Sequence, residues 1–246
     1  MEELGCAQIW GGVRGKDADA QGSGFIASVY SRAAEGAKGG DIYYLSVCSG
    51  EAITRVALAD VRGHGESVSE TSQWLYEALQ TRVNELDGSD LLTDLNALVG
   101  QRGYQAMTTA TIVSFLRAES NLHFTYAGHP PMFIYRQDDA GWDSVMLGSP
   151  RRCANLPLGA FGNTSYDDEV RPIAAGDRIF LYTDGLIEAT NGDGKPFGRD
   201  GVAGALEEAA RGTVRDIKHA VVDALIEHSN GATSDDDVTF IVVEVR

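Results

Sequence analysis

The sequence is poor in cysteine and in basic residues, and each shortage excludes a class of protein. The three cysteines, Cys6, Cys48 and Cys153, are odd in number and lack the spacing of zinc ligands, so neither a disulfide framework nor a zinc knuckle is indicated. Lysine and arginine number 20 against 36 acidic residues, which gives a formal charge of −16. This balance argues against nucleic acid or an anionic membrane surface as a partner.

Targeting and linker segments are also scarce. The first residues lack the basic patch and apolar stretch of a signal peptide, and no apolar run is long enough to span a bilayer. We therefore expect a cytoplasmic protein in a reducing compartment. Because no proline-rich or low-complexity linker interrupts the 246 residues, we expect a single domain over residues 1–246, with no sensor domain.

Strand-like and helix-like patterns occur in blocks. β-Rich runs at 42–48 and 53–59 predict a hairpin, and the segment 89–98 predicts a helix capped by Ser89 or Asp90. The other predicted strands are 107–116, 122–126, 132–135, 144–147, 178–182 and 238–245, and the other predicted helices are 66–86, 201–210 and 214–228. Because strands and helices do not alternate one for one, the order favours an α+β protein with antiparallel sheets covered by helices.

Several acidic residues lie where an apolar strand meets a turn. Asp41 opens one predicted strand, Asp60 closes another, Asp184 follows a third, and 235–237 precede the last. A single carboxylate at such a position is usually a turn former or a helix cap. Four such positions favour a shared cation, because clustered carboxylates must take up protons or bind metal. Oxygen ligands without His or Cys indicate Mg²⁺ or Mn²⁺, and a binuclear site fits this pattern.

The segment ALADVRGHGES at 57–67 places Asp60 beside a glycine-rich turn. Gly63 and Gly65 allow the backbone to bend sharply and approach a ligand, and the backbone carbonyl near Val61 would supply another hard oxygen. A tight strand-to-helix turn with no ligand explains the same residues equally well. The local pattern leaves both readings open.

Seven motifs together resemble one known family. They are GGDIYY (39–44), ALADVRGHGES (57–67), TTATIVSF (108–115), YAGHPPMFIY (126–135), LPLGAF (156–161), GDRIFLYTDGLIEATN (176–191) and SDDDVTFIVVEV (234–245). Their order and spacing resemble bacterial serine/threonine phosphatases of the sporulation stage II protein E and stress-regulator branch. That branch belongs to the metal-dependent phosphatases of the 2C type, the PPM superfamily. The resemblance covers about residues 22–246.

The resemblance implies an αββα sandwich, in which two central antiparallel sheets are flanked by helices and hold two Mn²⁺ or Mg²⁺ ions at one end. Asp60 would bridge both ions, and the Val61 carbonyl would complete part of one shell. Asp184 and Asp236 would ligate the other ion. Asp41 would bind directly through oxygen or through a metal-bound water.

The roles of two histidines and of one arginine pair are predicted less definitely. His64 would act in catalysis, by hydrogen bonding to metal-bound water or by protonating the leaving seryl oxygen, but a structural role in the turn fits as well. For His129 a structural role is favoured. Arg151 and Arg152 lie in a turn that is a solvated loop or, alternatively, steers a phosphate.

The resemblance also implies a function. A water bridging two metal ions would attack phosphoserine or phosphothreonine on a regulatory protein, such as an anti-sigma-factor antagonist, and a separate activator protein would supply the signal. The alternative is a catalytically silent binding module with the same fold that sequesters a regulatory partner; it predicts loss of a metal carboxylate, whereas Asp60, Asp184 and Asp236 are all present. A third reading, a phosphohydrolase of small molecules, would need a deeper pocket.

Overall fold

The computed structural model describes residues 1–48, 52–63, 68–82, 85, 87–145, 155–231 and 234–246. The strands, numbered in chain order, are β1 Glu2–Glu3, β2 Ile9–Arg14, β3 Lys16–Gly22, β4 Phe25–Arg32, β5 Lys38–Cys48, β6 Ile53–Val61, β7 Thr108–Leu116, β8 Asn121–Ala127, β9 Met132–Arg136, β10 Gly141–Val145, β11 Asp168–Pro172, β12 Arg178–Tyr182 and β13 Val238–Val245. The α-helices are α1 Ser69–Gln80, α2 Gly88–Arg102, α3 Asp184–Glu188, α4 Gly198–Glu208 and α5 Val214–His228.

The strands form two sheets. The first has the order β1-β3-β4-β13-β12-β9-β10, and the second has the order β11-β8-β7-β6-β5-β2. Between the described strands every ladder is antiparallel except that of β1 with β3, which is parallel. The prediction of two antiparallel sheets is therefore confirmed, with one short parallel edge strand added.

The two sheets pack face to face around an apolar core. Side chains alternate along each strand, so that Val56 and Leu58 of β6 point towards the other sheet whereas Ala57 and Ala59 point away from it. Across the interface, Ile241 of β13 belongs to the same inner cluster. This inner layer joins the sheets into a sandwich.

Helices cover both outer faces. Leu75 of α1 and Leu91 of α2 are buried against the outer face of the second sheet. On the other side, Leu206 of α4 and Ile217 of α5 are fully buried against strands that include Phe240. Three apolar layers thus hold four structural layers together, and the predicted αββα arrangement is confirmed. In the described residues, no helix is long and apolar enough to cross a lipid bilayer.

The sequence patterns predicted the long helices and strands better than the short or polar ones. The helix predicted at 214–228 has the same bounds as α5, and the predicted hairpin pairs β5 with β6. The four strands before residue 33 and the edge strand β11 were not predicted; of these, β1, β3 and β11 carry mostly polar or charged residues, whereas β2 and β4 are mainly apolar and were missed. The strand predicted at 144–147 overlaps β10, Gly141–Val145, which pairs with β9; positions 146 and 147 lie outside the described residues.

The cap of helix α2 differs from the expectation. Neither Ser89 nor Asp90 is the N-cap; the carboxylate of Asp87 accepts hydrogen bonds from the backbone amides of both. An aspartate that reaches two residues ahead satisfies amides that the first helical turn leaves free. The helix therefore begins at Gly88 and runs to Arg102, longer at both ends than the predicted segment 89–98.

An ion cluster joins the polar strand β3 to helix α5. Lys218 is 3% exposed and its Nζ lies 2.5 Å from Asp17 Oδ1 and 3.2 Å from Asp19 Oδ1. Asp19 also accepts hydrogen bonds from Ser28 and Arg215. Burial alone would raise the pKa of Asp19, but the hydrogen bonds from these three residues outweigh it and lower that pKa from 3.8 to about 2.

This cluster predicts a pH-dependent stability. Since the folded-state pKa of Asp19 lies below its unfolded value, its contribution of about 2 kcal/mol is complete above pH 4 and disappears as the pH falls towards 2. Urea denaturation of the wild type and of Asp19→Asn between pH 6 and pH 2 measures it. The stability difference between the two proteins should shrink over that window, and a constant difference would contradict the assignment.

Candidate metal centre

Two of the four predicted carboxylates come from adjacent strands of the second sheet. Asp41 of β5 and Asp60 of β6 are directly opposite each other in the antiparallel register, and Asp60 is also opposite Thr109 of β7. Asp41 does not open its strand as expected, because β5 already begins at Lys38. Side chains directly opposite in a ladder are close neighbours. The hairpin therefore brings these two carboxylates together at one end of the sheet.

The other two carboxylates come from the first sheet. Strand β12 ends at Tyr182, and Asp184 begins the short helix α3. Asp236 lies two residues before β13, which pairs with β12 so that Tyr182 is opposite Phe240. The Thr183 hydroxyl donates a hydrogen bond of 2.9 Å to Asp41 Oδ2, and this bond joins the two sheets at the site.

Burial, reinforced by repulsion among these carboxylates, dominates the electrostatics of the site. Burial, the charges of Asp41, Asp184 and Asp236, and a hydrogen bond with Asp184 together raise the pKa of Asp60 from 3.8 to about 10. Burial also raises the pKa of Asp41 well above its ordinary value; the hydroxyls of Thr239 and Thr183 offset part of this, and nearby acidic groups add to it. Without a cation, therefore, the cluster can carry its full negative charge only at a large energetic cost.

The oxygen donors of the cluster are chemically suited to a hard divalent cation. Carboxylate oxygens come from four positions, and the Val61 carbonyl lies beside Gly40, whose missing Cβ would stand 2.7 Å from it. Oxygen-only donors of this kind suit Mg²⁺ or Mn²⁺. In the described stretches, however, no three His, Cys, Asp or Glu side chains lie close enough to hold one ion by themselves. Backbone oxygen or water would have to complete the shell of any ion held there.

The neighbouring Asp237 was noted among the acidic residues 235–237, but the sequence assigned it no role of its own. It is 2% exposed, and its two carboxylate oxygens accept hydrogen bonds from the backbone amides of Ala34, at 2.7 Å, and Gly40, at 2.6 Å. Gly40 directly precedes Asp41. Asp237 thus fixes the backbone that carries the Asp41 carboxylate, and it does so from the opposite sheet.

Two glycines of the site are required by Asp237. A Cβ on Gly39 would lie 2.3 Å from Asp237 Oδ2, and a Cβ on Gly185 would lie 2.0 Å from the Asp237 carbonyl oxygen. Real Cβ atoms do not approach so closely, so each glycine leaves the space that the aspartate occupies. The glycines beside Asp41 and Asp184 are therefore explained by close packing around Asp237.

Gly185→Ala tests this packing. Because the new methyl group would meet backbone rather than a flexible side chain, α3 must move away from β13 and carry Asp184 with it. We expect a fall of about 1–3 kcal/mol in the free energy of unfolding, measured by urea denaturation. Gly204→Ala in α4 is the matched control, since no atom lies within 4 Å of its added Cβ. Equal stability of the two variants would contradict the packing.

His129 is buried near Asp60. It is 8% exposed, and its Nδ1 lies 3.0 Å from Oγ1 of Thr109, the residue opposite Asp60. Burial lowers the pKa of His129 to about 3, so the ring is neutral near pH 7. A histidine that is neutral at that pH supports the predicted structural role. His64 and the pair Arg151 and Arg152 lie outside the described residues, and their predicted roles stay predictions.

Comparison with known proteins gives curated relatives with a named activity. The phosphoserine phosphatase RsbP of Bacillus subtilis is 22% identical over 197 residues, which is 78% of this chain and 45% of that protein. The phosphoserine phosphatase RsbU of Bacillus subtilis is 26% identical over 208 residues, which is 82% of this chain and 58% of that protein. The chain spans about half the length of the curated relatives it matches.

Two solved structures share the fold. The RsbU and RsbW domains of Rv1364c from Mycobacterium tuberculosis match with a TM-score of 0.77 and 22% identity, covering 96% of this chain and 62% of that one. RsbX in complex with magnesium matches with a TM-score of 0.68 and 16% identity, covering 94% of this chain and 100% of that one. A family model, described as stage II sporulation protein E, matches residues 50–246. Since this match covers most of the chain, the chain belongs to the stage II sporulation protein E (SpoIIE) family.

Proposed function

We propose that this protein is a metal-dependent serine/threonine protein phosphatase. The observation that carries the proposal is the meeting of Asp41, Asp60, Asp184 and Asp236 at one end of the sandwich, where burial and repulsion raise the pKa of Asp60 to about 10. A cation would relieve that repulsion. The named activity of RsbU and the magnesium in the RsbX structure support the same conclusion.

The proposed ligand set assigns a role to each residue. Asp60 lies between the carboxylates of both sheets and would bridge two ions, with the Val61 carbonyl as a further ligand. Asp184 and Asp236 would serve the ion on the side of the first sheet, and Asp41 would act directly or through water. When bound, two Mn²⁺ or Mg²⁺ ions would activate a water and hold a phosphoryl oxygen for in-line attack.

The remaining residues would position these donors. Thr183 donates to Asp41, and Asp237 holds the amide of Gly40, so the Asp41 carboxylate is fixed from the opposite sheet. His129 is neutral near pH 7 and would brace Thr109 next to Asp60 instead of transferring a proton. The proposed chemistry needs no side-chain nucleophile.

The surroundings of Asp236 admit a large substrate. A cavity of about 280 Å³ reaches Asp236 beside α5, and its wall combines the apolar side chains of Leu225 and Ile226 with Arg32. A wall that mixes apolar and charged side chains is typical of surfaces that dock a protein segment, which favours a protein substrate. The proposed substrate is therefore phosphoserine or phosphothreonine on a regulatory protein, such as an anti-sigma-factor antagonist.

Phosphate release tests the proposal. Protein stripped of metal by a chelator is given Mn²⁺, Mg²⁺, Ca²⁺ or Zn²⁺ and is then assayed on a phosphoserine protein or peptide, on nucleotides and on sugar phosphates. Release from the phosphoserine substrate with Mn²⁺ or Mg²⁺ is the expected result. Preference for nucleotides or sugar phosphates would instead indicate a small-molecule phosphohydrolase. Absence of release with every metal and substrate, together with absence of metal binding, would indicate a binding module.

A further inference from the structure

A second cavity lies at the other end of the first sheet. Its volume is about 380 Å³, and four arginines contribute to its wall: Arg178, Arg211, Arg215 and Arg246. Arg178 begins strand β12, whereas Asp184 lies just beyond its end, so the two sites are separated by roughly 20 Å at about 3.3 Å per strand residue. We call this cavity, defined by the four arginines, the basic cavity.

The charge of the basic cavity is opposite to that of the chain as a whole. The chain has 20 basic and 36 acidic residues, yet among the described residues that line this wall the four arginines face two acidic side chains, those of Asp19 and Glu244. Asp19 pairs with Arg215 and Lys218, and Glu244 pairs with Arg178 at 3.0 Å and with Arg246 at 3.4 Å. The wall therefore keeps an excess of positive charge.

Several donors of the wall remain available to a ligand. In the described part of the chain, no hydrogen bond or ion pair engages the Arg211 side chain, which is exposed. Arg215 is 53% exposed although one edge of its guanidinium binds Asp19. A guanidinium group offers five N–H donors in a planar fork that matches phosphate oxygens.

The start of helix α5 adds backbone donors to the same wall. The capping box uses the amides of Thr213 and Asp216, so the amides of Val214 and Arg215 have no partner within the cap. Both residues line the cavity. Amides at the start of a fifteen-residue helix, with the positive end of its dipole, favour an anion.

We propose that the basic cavity binds the phosphate groups of a small anionic ligand, separately from the candidate metal centre. Its volume lies within the usual range of small-molecule sites. Two arginine forks with unused donors and two free amides suit a ligand with more than one phosphate, such as pyrophosphate or a nucleoside di- or triphosphate. Pyrophosphate and a nucleotide share the phosphate groups that the arginines would bind, and the titration distinguishes these two kinds of ligand.

Calorimetric titration of the metal-free protein with inorganic phosphate, pyrophosphate and ATP tests the proposal. Removing divalent ions keeps the probe from binding through metal at the carboxylate cluster. We expect binding of pyrophosphate or ATP that is tighter than that of phosphate. Tighter binding of ATP than of pyrophosphate would identify a nucleotide ligand, and the reverse order an inorganic polyphosphate. Absence of binding by all three probes at millimolar concentration would overturn the proposal.

Variants locate the bound probe. Arg211→Gln should weaken binding about tenfold, and Arg211→Gln combined with Arg215→Gln roughly a hundredfold, because each removes charge-assisted hydrogen bonds. Arg117→Gln removes an exposed arginine outside the cavity and is the matched control. A thermal melt of each variant establishes that it is folded. Equal weakening by Arg117→Gln, or none by Arg211→Gln, would show unspecific attraction and contradict the proposal.

Discussion

Asp60→Asn is expected to lower phosphate release at least about a thousandfold while the protein stays folded. The carboxylate of Asp60 lies opposite Asp41 and interacts with Asp184 and Asp236, so it is the centre of the proposed ligand set. An amide oxygen carries no full charge and cannot bridge two cations as a carboxylate does, and the loss of several kcal/mol of metal-based stabilisation gives that factor. Initial rates with saturating Mn²⁺ measure the effect.

The same variant should be more stable than the wild type when metal is absent. Since the folded-state pKa of Asp60 lies above its unfolded value, the stabilisation that belongs to its protonated form is present below pH 4 and is lost as the pH rises towards about 10. Asparagine has no carboxyl proton to lose, so the variant does not lose this stabilisation as the pH rises. The variant's advantage in urea denaturation should therefore grow from pH 4 to pH 9.

Asp139→Asn is the matched control for both measurements. Asp139 is exposed in the turn between β9 and β10, away from the carboxylate cluster. It should change neither the rate nor the stability. Full activity of Asp60→Asn, with Asp139→Asn unchanged, would exclude Asp60 as a metal ligand.

Asp237→Ala is expected to destabilise the protein by about 2–4 kcal/mol. The substitution leaves the buried amide of Gly40 and the half-buried amide of Ala34 without their acceptor, and a buried donor that loses its partner costs about 1–3 kcal/mol. It also empties the space that Gly39 leaves for the carboxylate. Urea denaturation in chelator, so that metal does not contribute, measures the loss.

Asp235→Ala provides the comparison two residues away. Asp235 is exposed, so its removal should change the free energy of unfolding by less than about 0.5 kcal/mol. Because Asp237 holds the backbone of Gly40, the loss of Asp237 should also weaken Mn²⁺ binding through a displaced Asp41. Similar unfolding curves for Asp237→Ala and Asp235→Ala would show that the two amide bonds contribute little.

The sequence predicted elements well where local pattern and tertiary environment agree. Helix α5 has one apolar face and a Thr213 capping box, and strand β13 is a continuous apolar run buried on both faces. Strand β3, with the sequence KDADAQG, has no such pattern. Its aspartates are stabilised by Lys218, about 200 residues later in the chain, and no local signal reports that contact.

In the candidate site, too, some residues could be predicted from local pattern and others depend on distant contacts. The positions of Asp60 and Asp184 at the ends of apolar strands were readable, and the structure brings them together with Asp41 and Asp236. Gly39 and Gly40 lie within β5, and they are glycines because Asp237 and the Val61 carbonyl occupy the space that their Cβ atoms would need. The role of Asp237 depends on amides about 200 residues earlier, so only the folded chain reveals it.

The most direct test of the proposed metal centre is calorimetric titration of Mn²⁺ into metal-free wild type, Asp60→Asn and Asp139→Asn at pH 7. The account predicts that the wild type and Asp139→Asn bind two ions each. Binding should release protons, because Asp60 must lose its own to act as a ligand. Asp60→Asn should bind at least about tenfold more weakly and release fewer protons. Equal affinity, stoichiometry and proton release in all three proteins would contradict the assignment of the carboxylate cluster as the metal centre.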